Sequence, residues 1–186
     1  MTADRYASVL ILVRCLAGAA PLDTRDAILR EAFLQLRQTA SAIEAERLDQ
    51  MIWQRWGDAG TRQARQLLNE ASKALALGDV EPAIELLDRA VAQDPAFAEA
   101  WNRRATVFFM IGRHAESIAD IERVLVLEPR HYGALAGLGQ ILLRLDEPDG
   151  ALVAFEAALA INPHLDRIRR LALQLRRAER PTPLLD

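Results

Sequence analysis

Three prolines set a fixed period along the second half of this chain. Pro95, Pro129 and Pro163 lie 34 residues apart, and large and small side chains recur at the same step. The columns that keep this step are Leu67, Trp101 and Leu135; Ala71, Ala105 and Gly139; Ala74, Phe108 and Leu142; Ala83, Ser117 and Ala151; Leu87, Ile121 and Phe155; and Ala90, Val124 and Ala158. A period of this length is typical of stacked supersecondary units, each of which buries its apolar face against a neighbour.

Apolar residues beyond Pro21 recur at three- and four-residue steps, and no stretch of strand length alternates with a period of two. The fold is therefore expected to be all-α. Two amphipathic stripes precede the repeats and predict an N-terminal helical hairpin over residues 22–60. The first stripe holds Leu22, Ile28, Leu29, Phe33 and Leu36, and the second holds Ile43, Leu48, Met51, Ile52 and Trp56. Thr61 is expected to cap the helix that follows.

The repeated columns resemble the tetratricopeptide repeat (TPR), which places a large residue at unit position 4, small residues at positions 8, 20 and 27, and proline at position 32. The units are residues 64–97, 98–131 and 132–165, and the middle unit matches best. The residues that carry this match are Trp101, Ala105, Phe108, Gly112 and Pro129. The stretch from Trp101 to Gly139 is also similar to a group of small proteobacterial repeat proteins. The resemblance implies an α-solenoid of three tandem TPR helical hairpins within residues 61–165.

Helix packing and turn geometry explain why these columns hold small residues, glycine and proline. Small residues let the two helices of a hairpin approach closely, and proline ends the second helix of each unit. Gly78 and Gly112 would permit a positive φ in the turn between the helices. Asp146 replaces glycine in the third unit, and aspartate tolerates this conformation better than most residues do.

The ends of such a stack need polar covers. Residues 166–180 are expected to form a C-terminal capping helix, with Ile168, Leu171 and Leu175 facing the third unit and residues 181–186 left as a tail. Its other face carries Arg167, Arg169, Arg170, Arg176, Arg177 and Arg180. We interpret this face as solvated, in preference to a basic patch that binds nucleic acid weakly. The hairpin at residues 22–60 is expected to cover the opposite end.

The resemblance implies that partners bind the concave surface, which the first helix of each unit lines. Carried over by position, the residues of this trough are Arg65, Leu68, Ser72, Leu75 and Ala76; Glu99, Asn102, Thr106, Phe109 and Met110; and Gly133, Ala136, Gln140, Leu143 and Arg144. Phe109, Met110 and Leu143 would receive an apolar side chain. Asn102 and Gln140 would bond a peptide backbone. In the alternative interpretation, the chain's own N-terminal segment covers the apolar residues of the trough.

Some TPR proteins hold a C-terminal carboxylate with basic and amide side chains at five defined positions. Here those positions hold Leu68, Ser72, Arg103, Gly133 and Gly137. The resemblance therefore does not extend to chaperone-tail binding.

Sequence signals for catalysis, cofactors and metals are weak. Cys15 is the only cysteine, and His114, His131 and His164 are interpreted as exposed turn residues. Asp120 and Glu122 fit an exposed helix face. The formal net charge of −3 gives no global reason to expect nucleic acid. The leading prediction is a non-catalytic scaffold that binds another protein or peptide, without a small-molecule substrate or cofactor. The alternatives are an enzyme with a site between the N-terminal helices and the trough, or weak nucleic-acid binding.

The apolar segment at residues 1–20 has two equal interpretations. It resembles an export signal, which would place the protein in the periplasm, or it is a helix packed on the fold of a cytoplasmic protein. Arg14 interrupts the apolar run, so a stable membrane span is not expected.

Overall fold

The structure, a computed structural model, describes residues 9–11, 13 and 27–178. Every regular element in that part of the chain is an α-helix, which confirms the all-α prediction. The helices are α1 (Ala27–Gln38), α2 (Ala42–Asp58), α3 (Arg62–Leu77), α4 (Val80–Gln93), α5 (Ala98–Met110), α6 (His114–Leu127), α7 (Tyr132–Arg144), α8 (Pro148–Ile161) and α9 (Asp166–Ala178). None of the described helices combines the length and the apolar character that a membrane span requires.

Helices α3 to α8 form three consecutive pairs. Helix α3 packs on α4, α5 on α6 and α7 on α8, and each pair contacts the next. Gly78 and Gly112 connect the helices of the first two pairs with φ angles of 87° and 79°. Asp146 takes this place in the third pair, with a φ of 59°. The predicted left-handed turns are confirmed, and in each the backbone folds back on the preceding helix end.

Small side chains bring the helices of each pair close together. Ala71 and Ala83 are fully buried in the first pair. In the second pair, the Ser117 hydroxyl donates a hydrogen bond of 2.7 Å to the backbone carbonyl of Ala105. In the third, a methyl group on Gly139 would lie 2.4 Å from an atom of the Phe155 ring. A larger residue in any of these columns would therefore push its pair apart.

An ion-pair network connects the first and second pairs. Arg104 donates to both carboxylate oxygens of Asp120 at 2.8 Å and to Asp88 at 2.8 Å. Asp120 is only 4% exposed, so its interpretation as part of an exposed face was wrong. Burial raises the pKa of Asp120 above its ordinary value, and the Arg104 guanidinium opposes this shift without cancelling it. The network ties α5 to α6 and to α4 of the preceding pair.

Helix α9 closes the C-terminal end of the stack. Ile168 is buried, and the helix packs on α8. The polar face is partly neutralised, because Arg169 pairs with Asp166 at 2.7 Å and Arg176 pairs with Glu156 at 2.6 Å. The last two residues of the predicted capping helix lie outside the described part of the chain.

The outer face of the first pair is polar, and no other described element covers it. Gln66 and Lys73 are exposed on α3, whereas Ala100 and Val107, the corresponding residues of the next unit, are buried between units. The first unit therefore closes its own end. We expected the N-terminal hairpin to cover this end, and that expectation was wrong. The pair α1–α2 instead packs its aromatic residues against the second and third units.

The connection between α2 and α3 is tightly held. A methyl group on Gly60 would lie 2.5 Å from an atom of the Phe97 ring. The Thr61 backbone N–H donates to Asp94 at 2.9 Å, and the Thr61 hydroxyl accepts the N–H of Ala64. The predicted N-cap is confirmed, and these contacts fix the direction in which α2 leaves the stack.

The described residues of the N-terminal segment are helical, and two of them are buried while Ile11 is 60% exposed. Val9 and Val13 are fully buried in the main core, and Leu10 approaches Gly150 at the start of α8. Such burial agrees with the packed-helix alternative for residues 1–20. Most of that segment lies outside the described residues, and both alternatives stay open.

Candidate functional site

Aromatic side chains of the N-terminal pair occupy part of the concave trough. Trp56 stacks on His131 with ring centroids 4.1 Å apart and an angle of 12° between the planes. Trp53 meets His131 and Tyr132 edge-on at 5.3 and 5.8 Å. Phe33 of α1 meets Tyr132 edge-on at 6.4 Å. These geometries are the favourable ones for aromatic pairs, so the interface is specifically packed.

Gly133 provides the space for this packing. It occupies the second position of the third unit, which the family resemblance assigns to the concave surface. A methyl group there would lie 2.5 Å from an atom of the Trp53 ring. The indole therefore fits into the trough because this residue has no side chain.

Hydrogen bonds fix the pair along its length. The Tyr132 hydroxyl donates to Asp49 at 2.6 Å, and the Asn162 amide donates to the same oxygen at 3.0 Å. His164 Nε2 lies 2.9 Å from the backbone oxygen of Leu36 in α1. Burial raises the pKa of Tyr132, and the Asp49 carboxylate raises it further, so the hydroxyl keeps its proton and acts as the donor.

A buried polar centre lies beneath the stacked rings. His131 Nδ1 accepts the backbone N–H of Ala134 at 3.1 Å, so the proton of a neutral ring is assigned to Nε2, which lies 3.3 Å from Glu99. Glu99 also accepts bonds from Asn102 at 3.0 Å and Arg103 at 2.6 Å. Burial alone would raise the pKa of Glu99, but the His131 bond and the Arg103 charge outweigh it and lower the pKa.

The histidines differ from their interpretation as exposed turn residues. His131 is fully buried beneath the indole of Trp56, and its side chain caps the N-terminus of α7. His164 and His114 are partly buried. His164 supports α1, and the ring of His114 lies 5.8 Å from that of Phe109.

The groups of the polar centre are hydrogen-bonded to one another. Both ring nitrogens of His131 and both oxygens of Glu99 are already engaged in hydrogen bonds. Within the described residues, no group of three or more His, Cys, Asp and Glu side chains is arranged to hold a metal ion.

A cavity of about 300 Å³ lies between α2 and the concave faces of α3 and α5. This is near the lower end of the sizes typical of ligand sites. Its lining residues are Trp53, Gln54, Gly57, Asp58, Arg65, Leu68, Asn69, Ser72, Glu99 and Arg103. Helix α2 thus forms one wall, and the first two repeat units form the other.

The predicted trough residues fall into distinct groups. Arg65, Leu68, Ser72 and Glu99 line the cavity. The other predicted residues do not line the cavity. Asn102 and Ala136 are buried, and the partly buried residues are Leu75, Phe109, Gln140 and Leu143. The exposed ones are Thr106, Met110 and Arg144.

Asn102 and Gln140 were predicted to bond a peptide backbone, but both side chains already contact groups of the protein. The Asn102 amide donates to Glu99 at 3.0 Å and is buried, and the Gln140 amide lies 3.4 Å from the carbonyl of Ala136. Neither side chain is fully available to a peptide backbone. The guanidinium of Arg144 lies over the ring of Phe109 at 4.9 Å.

Six residues of the cavity were absent from the predicted set. They are Trp53, Gln54, Gly57 and Asp58 of α2, together with Asn69 and Arg103. Asn69 and Arg103 both occupy unit position 6, so a search over that column would have found them. The residues of α2 carry no repeat signal.

Comparison with known proteins identifies the repeats. The family model described as tetratricopeptide repeat matches residues 68–127 and 111–166. A TPR repeat-containing protein of the bacterium Rhizobium etli is 38% identical over 135 residues, which cover 73% of this chain and 66% of that protein. The SGT1 homolog of Oryza sativa subsp. japonica is 31% identical over 60% of this chain, and the match spans 30% of that protein. The chain thus spans less than two thirds of these relatives.

Solved structures show the same fold. The first TPR of Spaghetti (RPAP3) bound to HSP90 peptide SRMEEVD has a TM-score of 0.60 at 19% identity, covering 63% of this chain and 93% of that one. The structure of MamA has a TM-score of 0.59 at 21% identity, covering 76% of this chain and 86% of that one. The repeat register, the paired helices and a family match over more than half of the residues agree, and the chain belongs to the tetratricopeptide repeat family.

Proposed function

We propose that this chain is a non-catalytic adaptor, and that it binds a polypeptide segment of a partner protein in the open part of its concave trough. The observation that carries this proposal is the cavity between α2 and the helices α3 and α5. The aromatic residues of α1 and α2 fill the trough beside the third unit. On the first unit, Asn69 and Ser72 of this face are exposed among the described residues.

The residues at this face suit a polypeptide. Ser72 and Asn69 provide polar groups, and Leu68, which is 7% exposed, forms an apolar part of the cavity wall. A mixed surface of this kind can accept both side chains and the backbone of an extended or helical segment. Among structural neighbours, TPR domains are seen bound to HSP90 and HSP70 peptides. That precedent supports a protein-interaction scaffold as the general role of this chain.

The test compares two arginine substitutions on the same helix. Ser72→Arg places a long cation in the cavity, whereas Gln66→Arg places one on the outer face of α3, where Gln66 is exposed. Each tagged protein is incubated with a lysate of the native host, and bound proteins are quantified by mass spectrometry. The proposal expects a partner that wild type and Gln66→Arg retain and that Ser72→Arg loses.

A photo-crosslinking residue in place of Asn69 then identifies the bound segment. Asn69 lines the cavity and is exposed, so the crosslinker disturbs the core little. The proposal predicts crosslinks to one contiguous peptide of that partner. Equal capture by all three proteins, together with crosslinks scattered over unrelated proteins, would refute binding in the trough.

A further inference from the structure

We infer that the outer face of α9 docks an acidic helix of a partner protein, at a second surface apart from the trough. This surface is the basic stripe, which is formed by Arg167, Arg170 and Arg177 with Leu173 beside them. The inference goes beyond the proposed function and does not depend on it. A chain that holds one segment in its trough would connect two proteins through this second surface.

The arginines of the basic stripe lie on the side of α9 opposite its buried residues. Residues three and seven positions apart share one face of a helix, so Arg167, Arg170 and Arg177 are aligned over roughly 15 Å. Ile168 and Ala172 are buried on the other side, where α9 packs on α8. All three arginines are exposed, and the stripe is therefore accessible to another protein.

The ion pairs of α9 leave these three arginines out. Arg169 pairs with Asp166 at 2.7 Å, and Arg176 pairs with Glu156 at 2.6 Å. No described residue forms an ion pair or a hydrogen bond with the side chain of any arginine in the stripe. Asp166 is the only carboxylate within α9, and it is already paired. The helix therefore presents an excess of cationic hydrogen-bond donors on one side.

Helix stability does not account for this arrangement. Arg167 is the second residue of α9, where the partial positive charge of the helix N-terminus disfavours a cation. Arg167 and Arg170 are also like charges three positions apart, which weakens a helix. Within the stripe, only Arg177 lies in the last turn, where the helix dipole favours it. Two of the three arginines thus oppose the stability of their own helix, which is expected of residues that serve binding.

Closing the end of the stack does not require the stripe either. The opposite end is closed by α3, whose outer face carries Gln66, Glu70 and Lys73. Gln66 donates to Glu70 at 3.1 Å, and Lys73 supplies the opposite charge. A face with neutral groups and both signs of charge is therefore sufficient to close one end. The single sign of charge at the other end favours a binding surface, although a solvated face was the expectation from the sequence alone.

The chemistry of the stripe suits an acidic polypeptide. A guanidinium donates two parallel hydrogen bonds to a carboxylate. Leu173 is 45% exposed and lies between Arg170 and Arg177 along the helix, so the same face offers an apolar contact. A partner helix that runs along α9 matches both features, with carboxylates at the spacing of the arginines and an apolar residue opposite Leu173.

Nucleic acid fits the same surface less well. No residue of α9 is aromatic, so bases have no ring on which to stack. The formal net charge of the chain is −3, which opposes the approach of a polyanion outside the stripe. A helix whose carboxylates are confined to one face avoids that repulsion.

The test follows the Nε–H resonances of Arg167, Arg170 and Arg177 in ¹⁵N-edited NMR spectra of the full chain. The probe is an alanine-based helical peptide with glutamate at the spacing of the three arginines and leucine opposite Leu173. Its control has glutamine in place of every glutamate. A single-stranded thymidine oligonucleotide of equal charge is the nucleic-acid probe. We expect saturable shifts with the glutamate peptide, which weaken as salt is added, and none with the glutamine peptide.

Charge reversal makes the assignment specific. The double variant Arg170→Glu/Arg177→Glu should bind the glutamate peptide at least ~10-fold more weakly than wild type. The same variant should bind a peptide with lysine in place of glutamate, a gain that loss of folding cannot produce. The matched control is Arg62→Glu/Arg89→Glu, which changes the net charge equally at exposed positions elsewhere and should bind like wild type.

Four results would overturn the proposal. They are the absence of saturable shifts with the glutamate peptide, equal shifts with the glutamine peptide, equal binding by the double variant and its matched control, and tighter binding of the oligonucleotide than of the glutamate peptide. The proposed function is tested separately, because Ser72→Arg changes the cavity and should leave peptide binding at α9 unchanged.

Discussion

Replacing Gly133 by alanine tests whether the N-terminal pair occupies the trough. The new methyl group would lie 2.5 and 2.7 Å from two atoms of the Trp53 ring, closer than non-bonded carbon atoms approach. Trp53 cannot easily turn aside, because its ring contacts those of Trp56, His131 and Tyr132. The clash is therefore relieved by shifting α2 away from α7.

Gly137 in the same helix provides the matched control. A methyl group there would meet only Ile121, at the ordinary contact distance of 3.8 Å. Gly137→Ala should gain up to ~1 kcal/mol from helix propensity. Gly133→Ala has a similar gain, but overpacking opposes it by ~1–3 kcal/mol. The Gly133 variant should therefore be less stable than the control by ~1–3 kcal/mol, or ~2–12 °C in Tm for a chain of this size.

Two measurements decide the outcome. Thermal unfolding gives the difference in stability, and amide hydrogen exchange locates it. Exchange should accelerate in α1 and α2 of Gly133→Ala, while the amides of α5 and α6 keep their protection. Equal Tm values for the two variants, with α1–α2 protected as in wild type, would refute the docking of this pair against Gly133.

The remaining predictions concern single contacts. Tyr132→Phe removes the hydrogen bond to Asp49 and should lower the free energy of unfolding by ~1–3 kcal/mol, since the acceptor is charged; an unchanged denaturant midpoint would contradict this. The pKa of Glu99 is lower in the folded chain than its ordinary value of 4.5, so its contribution to stability is complete above pH 4.5 and is lost as the pH falls through the folded value. Stability measured against pH should therefore fall less steeply in acid for Glu99→Gln, and parallel curves would reject the assignment. Gly78→Ala should cost ~1–2 kcal/mol through its positive φ alone, because a methyl group meets nothing within 4 Å; wild-type Tm would disprove this.

The sequence predicted the repeats because their columns depend on local geometry. A small residue such as Ala105 is required where two helices touch, and Gly112 is required where φ is positive. Such constraints act within one 34-residue unit and recur in the next, so the pattern is visible without knowledge of distant contacts. Asp146 departs from the glycine pattern and still adopts the same conformation.

Long-range polar contacts were not predictable in this way. His131 is buried because an indole from α2, far away in the sequence, stacks on it. Asp120 is buried because Arg104 reaches it from the neighbouring helix. Each residue is polar and lies at a position that solvent would otherwise reach, so its local sequence predicts exposure. Only the tertiary partner reverses that expectation.

The packing position of the N-terminal pair could have been predicted from the sequence. Helix α3 carries Gln66 and Lys73 where the next unit buries Ala100 and Val107, so the first unit has no apolar outer face to cover. An amphipathic hairpin joined to such a unit must bury its aromatic residues elsewhere. The trough is the apolar surface within reach, and Gly133 leaves it open to an indole. A polar first unit, an aromatic hairpin and a glycine at a concave position therefore together predict that the hairpin packs in the trough. The hairpin packs against the second and third units, so under the proposed function a polypeptide in the cavity would contact both the first repeat units and α2.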